Sequence, residues 1–95
     1  MGKIYKGQTK LRLTANSKIT DLSGCSCKIK YRKPGGTESY FASSSVAAPY
    51  IHYDVSSSSD LGESGLWKFW AHVTWNDGTE ANGEPVEILI YNVGE

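Results

Sequence analysis

The chain has 95 residues, no net formal charge, and a composition that is 39% hydrophobic and 12% aromatic. This size and apolar content predict a single domain over residues 1–95, built around one core. No run of about 18 apolar residues could span a membrane, and the first six residues lack the apolar stretch of a signal peptide. Membrane insertion and secretion are therefore not expected.

Seven segments carry the pattern of β-strands, and none shows a sustained helical period. In chain order they cover residues 3–6, 9–15, 25–32, 37–43, 49–55, 66–75 and 85–93. Turn-forming residues separate many of them, at 20–24, 33–37, 56–59 and 76–78. Short strands at a spacing of roughly 8 to 12 residues, without helices between them, indicate an all-β immunoglobulin-like antiparallel sandwich of about seven strands. A small barrel is the alternative.

The clearest strand pattern lies in residues 66–75, where apolar residues occupy every second position from Trp67 to Trp75. Alternation places these residues on one face, and it places Lys68, Trp70, His72 and Thr74 on the other. The same argument assigns inward positions in the other strands. The predicted core comprises Leu11, Leu13, Cys25, Cys27, Ile29, Tyr31, Ile51, Tyr53, Val55, Trp67, Phe69, Val86, Ile88 and Ile90.

The charges are divided unevenly along the chain. Residues 1–33 hold nine cations and one anion, a net charge of +8, and residues 34–95 hold one cation and nine anions, a net charge of −8. In an antiparallel sandwich early and late strands interleave, so most of these charges are expected to pair across strands. The alternative is a molecule with two oppositely charged ends, which would favour head-to-tail association.

Cys25 and Cys27 are the residues that most suggest a metal or redox site. On a strand both thiols point to the same inward face, whereas His52 and His72 are expected on outward faces, so four ligands would not converge. We expect buried, reduced cysteines, no metal and no cofactor. No nucleophile with a histidine and an acid at a recognisable spacing occurs, and there is no phosphate-binding loop, so an enzyme is not expected.

The candidate interaction surface consists of the outward residues of three strands that are neighbours in immunoglobulin-like sandwiches. Trp70 is the unusual member, because a tryptophan on the face opposite the core has the character of a protein contact. An ordinary solvated surface, with Trp70 covered by a loop, is the alternative. The candidate residues are Lys28, Lys30, Arg32, Trp70, His72, Leu89 and Tyr91.

Three segments together carry a resemblance that spans nearly the whole chain. They are Ile4 to Thr9, the stretch from Asp21-Leu22-Ser23-Gly24 through Lys28 to Thr37, and Gly65-Leu66-Trp67 followed by Ala71, Val73, Asp77-Gly78 and Val86. In these features the chain resembles the immunoglobulin-like domains of bacteriophage tail and baseplate proteins, particularly the N-terminal domains of baseplate upper proteins. The resemblance implies a structural role in a virion, with no catalysis and no cofactor.

The expected function is therefore that of a non-enzymatic assembly module of a phage or prophage particle of tail or baseplate type. It would act through protein–protein contacts with other structural chains or with further copies of itself, in the virion or the host cytoplasm. The alternative is a carbohydrate- or cell-surface-binding module using Trp70 and Tyr91. Nucleic acid is the lesser option, because the net charge is zero and acidic residues lie on the adjacent strand.

Overall fold

The computed structural model describes residues 4–93, which form nine β-strands. These residues include no helix long and apolar enough to cross a membrane. The all-β prediction is confirmed, and each of the seven predicted segments overlaps an observed strand. The strands are β1 (Ile4–Tyr5), β2 (Leu11–Asn16), β3 (Ser26–Arg32), β4 (Glu38–Ala42), β5 (Ser45–Ala47), β6 (Tyr50–Val55), β7 (Gly65–Thr74), β8 (Glu80–Asn82) and β9 (Val86–Tyr91).

The strands form two sheets. The larger sheet has the order β1-β9-β7-β3-β4, with β8 also paired to β7, and the smaller sheet has the order β2-β6-β5. Neighbouring strands are antiparallel except for β1 and β9, which run parallel and make the larger sheet mixed. The two strands that the sequence analysis did not predict, β5 and β8, have three residues each. Segments this short give too few alternating positions to be recognised by periodicity.

Both sheets contribute to one hydrophobic core. Ile51 and Val55 from the smaller sheet meet Ile29, Trp67 and Ile90 from the larger one, and each of the five is almost completely buried. Alternation explains this arrangement, because every second residue of a strand points to the same face. The predicted inward face of residues 66–75 is thus confirmed.

Trp67 is the largest side chain that is fully buried in this core. Its indole packs against Phe69 and Tyr31, with ring centroids 5.7 and 5.3 Å away. The indole Nε1–H donates a hydrogen bond of 2.9 Å to the backbone carbonyl of Glu63. Since a buried indole must satisfy its one polar group, this bond allows Trp67 to lie inside the core.

The prediction that Val86 belongs to the core is wrong. It has the same parity as Ile88 and Ile90 on β9, but its side chain is 57% exposed, whereas Ile90 is 1% exposed. The reason is its place at the open flank of the sheet, where β1 pairs only with the last two residues of β9. Core residues that the sequence analysis did not name are Ile4, Ala15, Leu22, Phe41 and Leu61.

Oppositely charged residues pair across neighbouring strands. Arg12 on β2 contacts Asp54 on β6, with Nε 2.7 Å from Oδ1, and the pair lowers the pKa of the Asp54 carboxyl through a hydrogen bond from the guanidinium. Arg32 on β3 likewise pairs with Glu38 on β4. Each pair joins a cation of the basic first third to a later anion, as the cross-strand interpretation predicts.

Candidate interaction surface

The side of the larger sheet that faces away from the core is the candidate site, and we call it the outer face. Its side chains alternate with the buried residues of β3, β4, β7 and β9, and they form rows across the sheet because the strands are in fixed register. Its members include Lys28, Lys30, Arg32, Glu38, Tyr40, Leu66, Lys68, Trp70, Glu87 and Leu89.

One row of the outer face places a lysine between two aromatic residues. Lys30 on β3 is the register partner of both Tyr40 on β4 and Trp70 on β7. Tyr40 is 50% exposed and Trp70 is half-buried. The ammonium of Lys28 lies 4.4 Å from the centroid of the Tyr40 ring, a cation–π contact that holds this ring beside the row.

The next row is made of charged residues. Glu38, Arg32, Lys68 and Glu87 follow one another across four strands, with anions at the two ends and cations in the middle. Arg32 donates a hydrogen bond of 2.6 Å from Nε to Glu38 Oε2. This bond ties the guanidinium of Arg32 to Glu38 at the edge of the sheet.

An apolar pair follows the charged row. Leu66 on β7 is the register partner of Leu89 on β9, and the two side chains are 50% and 47% exposed. Leu89 is thus opposite Leu66 and not beside Trp70, which lies four residues further along β7. Trp70 and Leu89, both members of the predicted surface, are therefore not contiguous.

Tyr91 lies still further away, at the end of β9. Its ring contacts that of Tyr5 on β1, with centroids 6.2 Å apart. The structure thus brings together Lys28, Lys30, Arg32 and Trp70, and it separates Tyr91 and Leu89 from them. Tyr40 is the site residue that the sequence analysis missed, although alternation with the inward Phe41 could have identified it.

His72 lies on the outward side of β7, as predicted, but the expectation that it is a surface residue is wrong. Its side chain is only 3% exposed. The ring Nδ1 lies 2.8 Å from Asn82 Oδ1, and Nε2 lies 3.3 Å from a carboxylate oxygen of Glu80. Both partners belong to β8, the short strand that the sequence pattern did not reveal. His72 therefore attaches β8 to the larger sheet and is not part of the exposed surface.

The lysines around Trp70 give the outer face a positive centre. Among residues 4–93, Lys28, Lys30 and Lys68 form no salt bridge, in contrast to Arg32. Lys30 is opposite Trp70, Lys28 is diagonal to it, and Lys68 lies two residues before it on the same strand. A half-buried indole can stack on a flat group of a partner, and the cations around it can attract a negatively charged group.

The two cysteines lie elsewhere and do not form part of this site. Both thiols are free and partly buried, and burial raises the pKa of the Cys27 thiol. Within residues 4–93, no group of three or more His, Cys, Asp or Glu side chains is placed to hold a metal ion.

Comparison of the chain with protein-family models, with curated proteins and with solved structures found no match.

Proposed function

We propose that the chain is an immunoglobulin-like sandwich that works as a non-enzymatic assembly module. The support for the fold is the pair of sheets around one core, with a three-stranded sheet against a larger one. The support for a phage-type particle as its setting, in a virion or in the host cytoplasm, is the sequence resemblance described above.

The contact surface of this module is the outer face, with its centre at Trp70. The observation that carries this proposal is the row Tyr40, Lys30 and Trp70, in which two aromatic rings flank a lysine on a side of the sheet that the core does not use. Aromatic residues that combine a large contact area with a nearby charge are frequent in binding hot spots. The unpaired lysines favour an acidic surface on the partner chain.

A carbohydrate-binding module is the second candidate, and one observation favours it. A depression of about 160 Å³ opens between Tyr40 and Trp70 and is also lined by Lys30, Glu38 and Ser39. Aromatic rings beside polar groups that can form hydrogen bonds suit a sugar ring, which has both an apolar face and hydroxyl groups. Tyr91, which the sequence analysis included in this alternative, lies outside the depression.

NMR mapping with two kinds of probe tests the proposal. We would titrate ¹⁵N-labelled protein with a glutamate-rich peptide, with a lysine-rich peptide of equal length, and with a panel of neutral and acidic oligosaccharides. The protein-contact proposal predicts shifts at Lys30, Tyr40 and Trp70 with the glutamate-rich peptide alone. Shifts at the same residues with one saccharide would favour the second candidate. Equal responses to both peptides, or shifts away from the outer face, would contradict both.

A further inference from the structure

One flank of the sandwich is left open by the strand pairing. In the described part of the chain β2 pairs only with β6, so one long side of β2 has no neighbour. The nearby residues Val86 to Leu89 of β9 pair only with β7. Between the two open edges lies a cleft of about 230 Å³, whose apolar lining includes Leu13, Ala15 and Ile88.

The exposed Val86 belongs to this flank. It lines the cleft with its side chain 57% exposed, although its position on β9 has the parity of the core. An inward-facing valine with this exposure indicates that the described chain leaves Val86 uncovered, although Lys18 and Glu84 also line the cleft and form a salt bridge of 3.1 Å. Apolar surface that remains uncovered beside a free strand edge is typical of a contact with another chain.

The β2 edge also lacks two of the features that usually prevent strand addition. Its inward residues are Leu11, Leu13 and Ala15, so it carries neither a proline nor an inward charge. It has six residues, whereas the other strands with a single neighbour, β4, β5, β8 and β1, have five, three, three and two. Among these strands β2 is therefore the longest.

The backbone N–H and C=O groups of β2 point toward its open side at alternate residues. The N–H of Ser17 donates to the carbonyl of Pro49, next to β6, so the backbone groups of the preceding residue, Asn16, point away from β6. Gly83 packs against the Asn16 carbonyl, since an added Cβ atom would lie 2.8 Å from its oxygen. Because backbone groups alternate along a strand, those of Arg12 and Thr14 point to the same open side. An added strand would satisfy them.

We propose that this flank is a homodimer interface, in which the β2 strands of two copies pair antiparallel around Leu13 and join the two smaller sheets into one of six strands. In this register Leu11 lies opposite Ala15 of the second copy, and Arg12 lies opposite its Thr14. Arg12 also forms a bidentate pair with Asp54 of its own chain. A register around Thr14 would instead place Lys10 opposite Lys18 of the second copy, and like charges directly opposite are unfavourable.

The two-fold arrangement closes on itself, because each copy uses the same edge. It also brings the two β9 edges to the same side and covers the cleft that Val86 lines. The outer face takes no part in this contact, so the inference is independent of the proposed function.

Light scattering over a dilution series tests the dimer. We expect the wild type to reach twice the 10.4 kDa mass of the chain at high concentration. Val86→Lys would place a charge in the cleft and raise the dimer Kd at least about tenfold. Leu89→Lys is the matched control, because Leu89 lies on the same strand with 47% exposure but on the outer face, and it should leave the dimer intact.

The register is tested at one position with two charges. Thr14→Lys should weaken the dimer, because the new ammonium would face Arg12 of the second copy, and Thr14→Glu should weaken it less. Both variants lose the same contact with His52, so the comparison isolates the charge. Amide hydrogen exchange at Arg12 and Thr14 should also slow as the concentration rises.

Three results would overturn the inference. A monomer at every concentration would contradict the dimer, and any strand that pairs with β2 would then come from a different protein. A dimer that Leu89→Lys disperses and Val86→Lys does not would lie on the outer face. Open-ended oligomers would contradict the closed two-fold pairing.

Discussion

Trp70 and Lys30 are register partners on β7 and β3, so the indole and the ammonium occupy neighbouring positions on the outer face. Neither side chain belongs to the buried core. Contacts made through this pair can therefore be removed without removing the packing that holds the two sheets together.

The first prediction concerns Trp70→Ala. We expect the free energy of unfolding to fall by roughly 1 kcal/mol, because Trp70 is only half-buried. Binding of the partner chain should lose at least about 2 kcal/mol, the loss typical of a hot-spot residue. Urea unfolding and calorimetric titration measure the two effects. Leu66→Ala, a change at an exposed residue of the same strand, is the control and should affect binding less. Equal binding losses would contradict the central role of Trp70.

The second prediction concerns the core. Trp67→Ala removes the largest fully buried side chain and should lower the free energy of unfolding by about 3 to 5 kcal/mol. This is a large share of the roughly 5 to 15 kcal/mol that stabilises a typical domain. Trp67→Phe should cost less, because it keeps an aromatic ring in the space between Phe69 and Tyr31. Chemical denaturation provides the measurement, and a loss below about 1 kcal/mol for Trp67→Ala would show that this region is not the core.

The third prediction concerns Gly65, where β7 begins. Its φ of +125° is rarely adopted by residues with side chains, and a Cβ atom there would lie 2.7 Å from Cγ of Pro34. Gly65→Ala should therefore destabilise the fold through backbone strain and a steric clash together. Gly36→Ala is the control, because Gly36 has a φ of +96° but open space around it. Thermal unfolding should show the larger loss for Gly65→Ala, and similar losses would mean that the contact with Pro34 relaxes freely.

The fourth prediction concerns alkaline pH. Burial, followed by the 2.7 Å hydrogen bond from the Tyr53 hydroxyl to Asp60, raises the pKa of Tyr53 from 10.0 to about 12. Below pH 10 the folded and unfolded chains both keep this proton. Between pH 10 and about 12 the unfolded chain releases it more readily, so the stability contributed by Tyr53 is lost as the pH rises.

Comparison with Tyr53→Phe isolates this effect from other groups that titrate in the same range. Urea unfolding of both proteins from below pH 10 up to about pH 12 should show the stability difference in favour of the wild type declining with pH. A difference that stays constant would mean that Tyr53 releases its proton equally in both states.

Much of the fold could be predicted because the long strands have a strong two-residue period. In residues 66–75 every second residue, from Trp67 to Trp75, is apolar, and the observed strand Gly65–Thr74 agrees within one residue at each end. The short strands β5 and β8 lack such a period. Because β8 was not predicted, its contacts with His72 were not predicted either, and a buried histidine was assigned to the surface.

The composition of the site could be predicted only in part. Alternation correctly places Lys28, Lys30 and Trp70 on one face, but it does not fix the register between strands. Leu89 therefore lies opposite Leu66 and away from Trp70. The exposure of Val86 has a similar origin, since local pattern shows which way a side chain points and not whether another strand covers it.

Site-specific photo-crosslinking in cells that naturally produce the protein tests the central claim most directly. A photoreactive phenylalanine analogue would replace Tyr40, which is 50% exposed in the row of Trp70, in one variant and Ser58, on the exposed loop between β6 and β7, in another. If the outer face is the contact surface, position 40 should give an adduct with one defined protein chain, and position 58 should give none. An adduct from position 58 without one from position 40 would contradict the claim that this module assembles through the outer face.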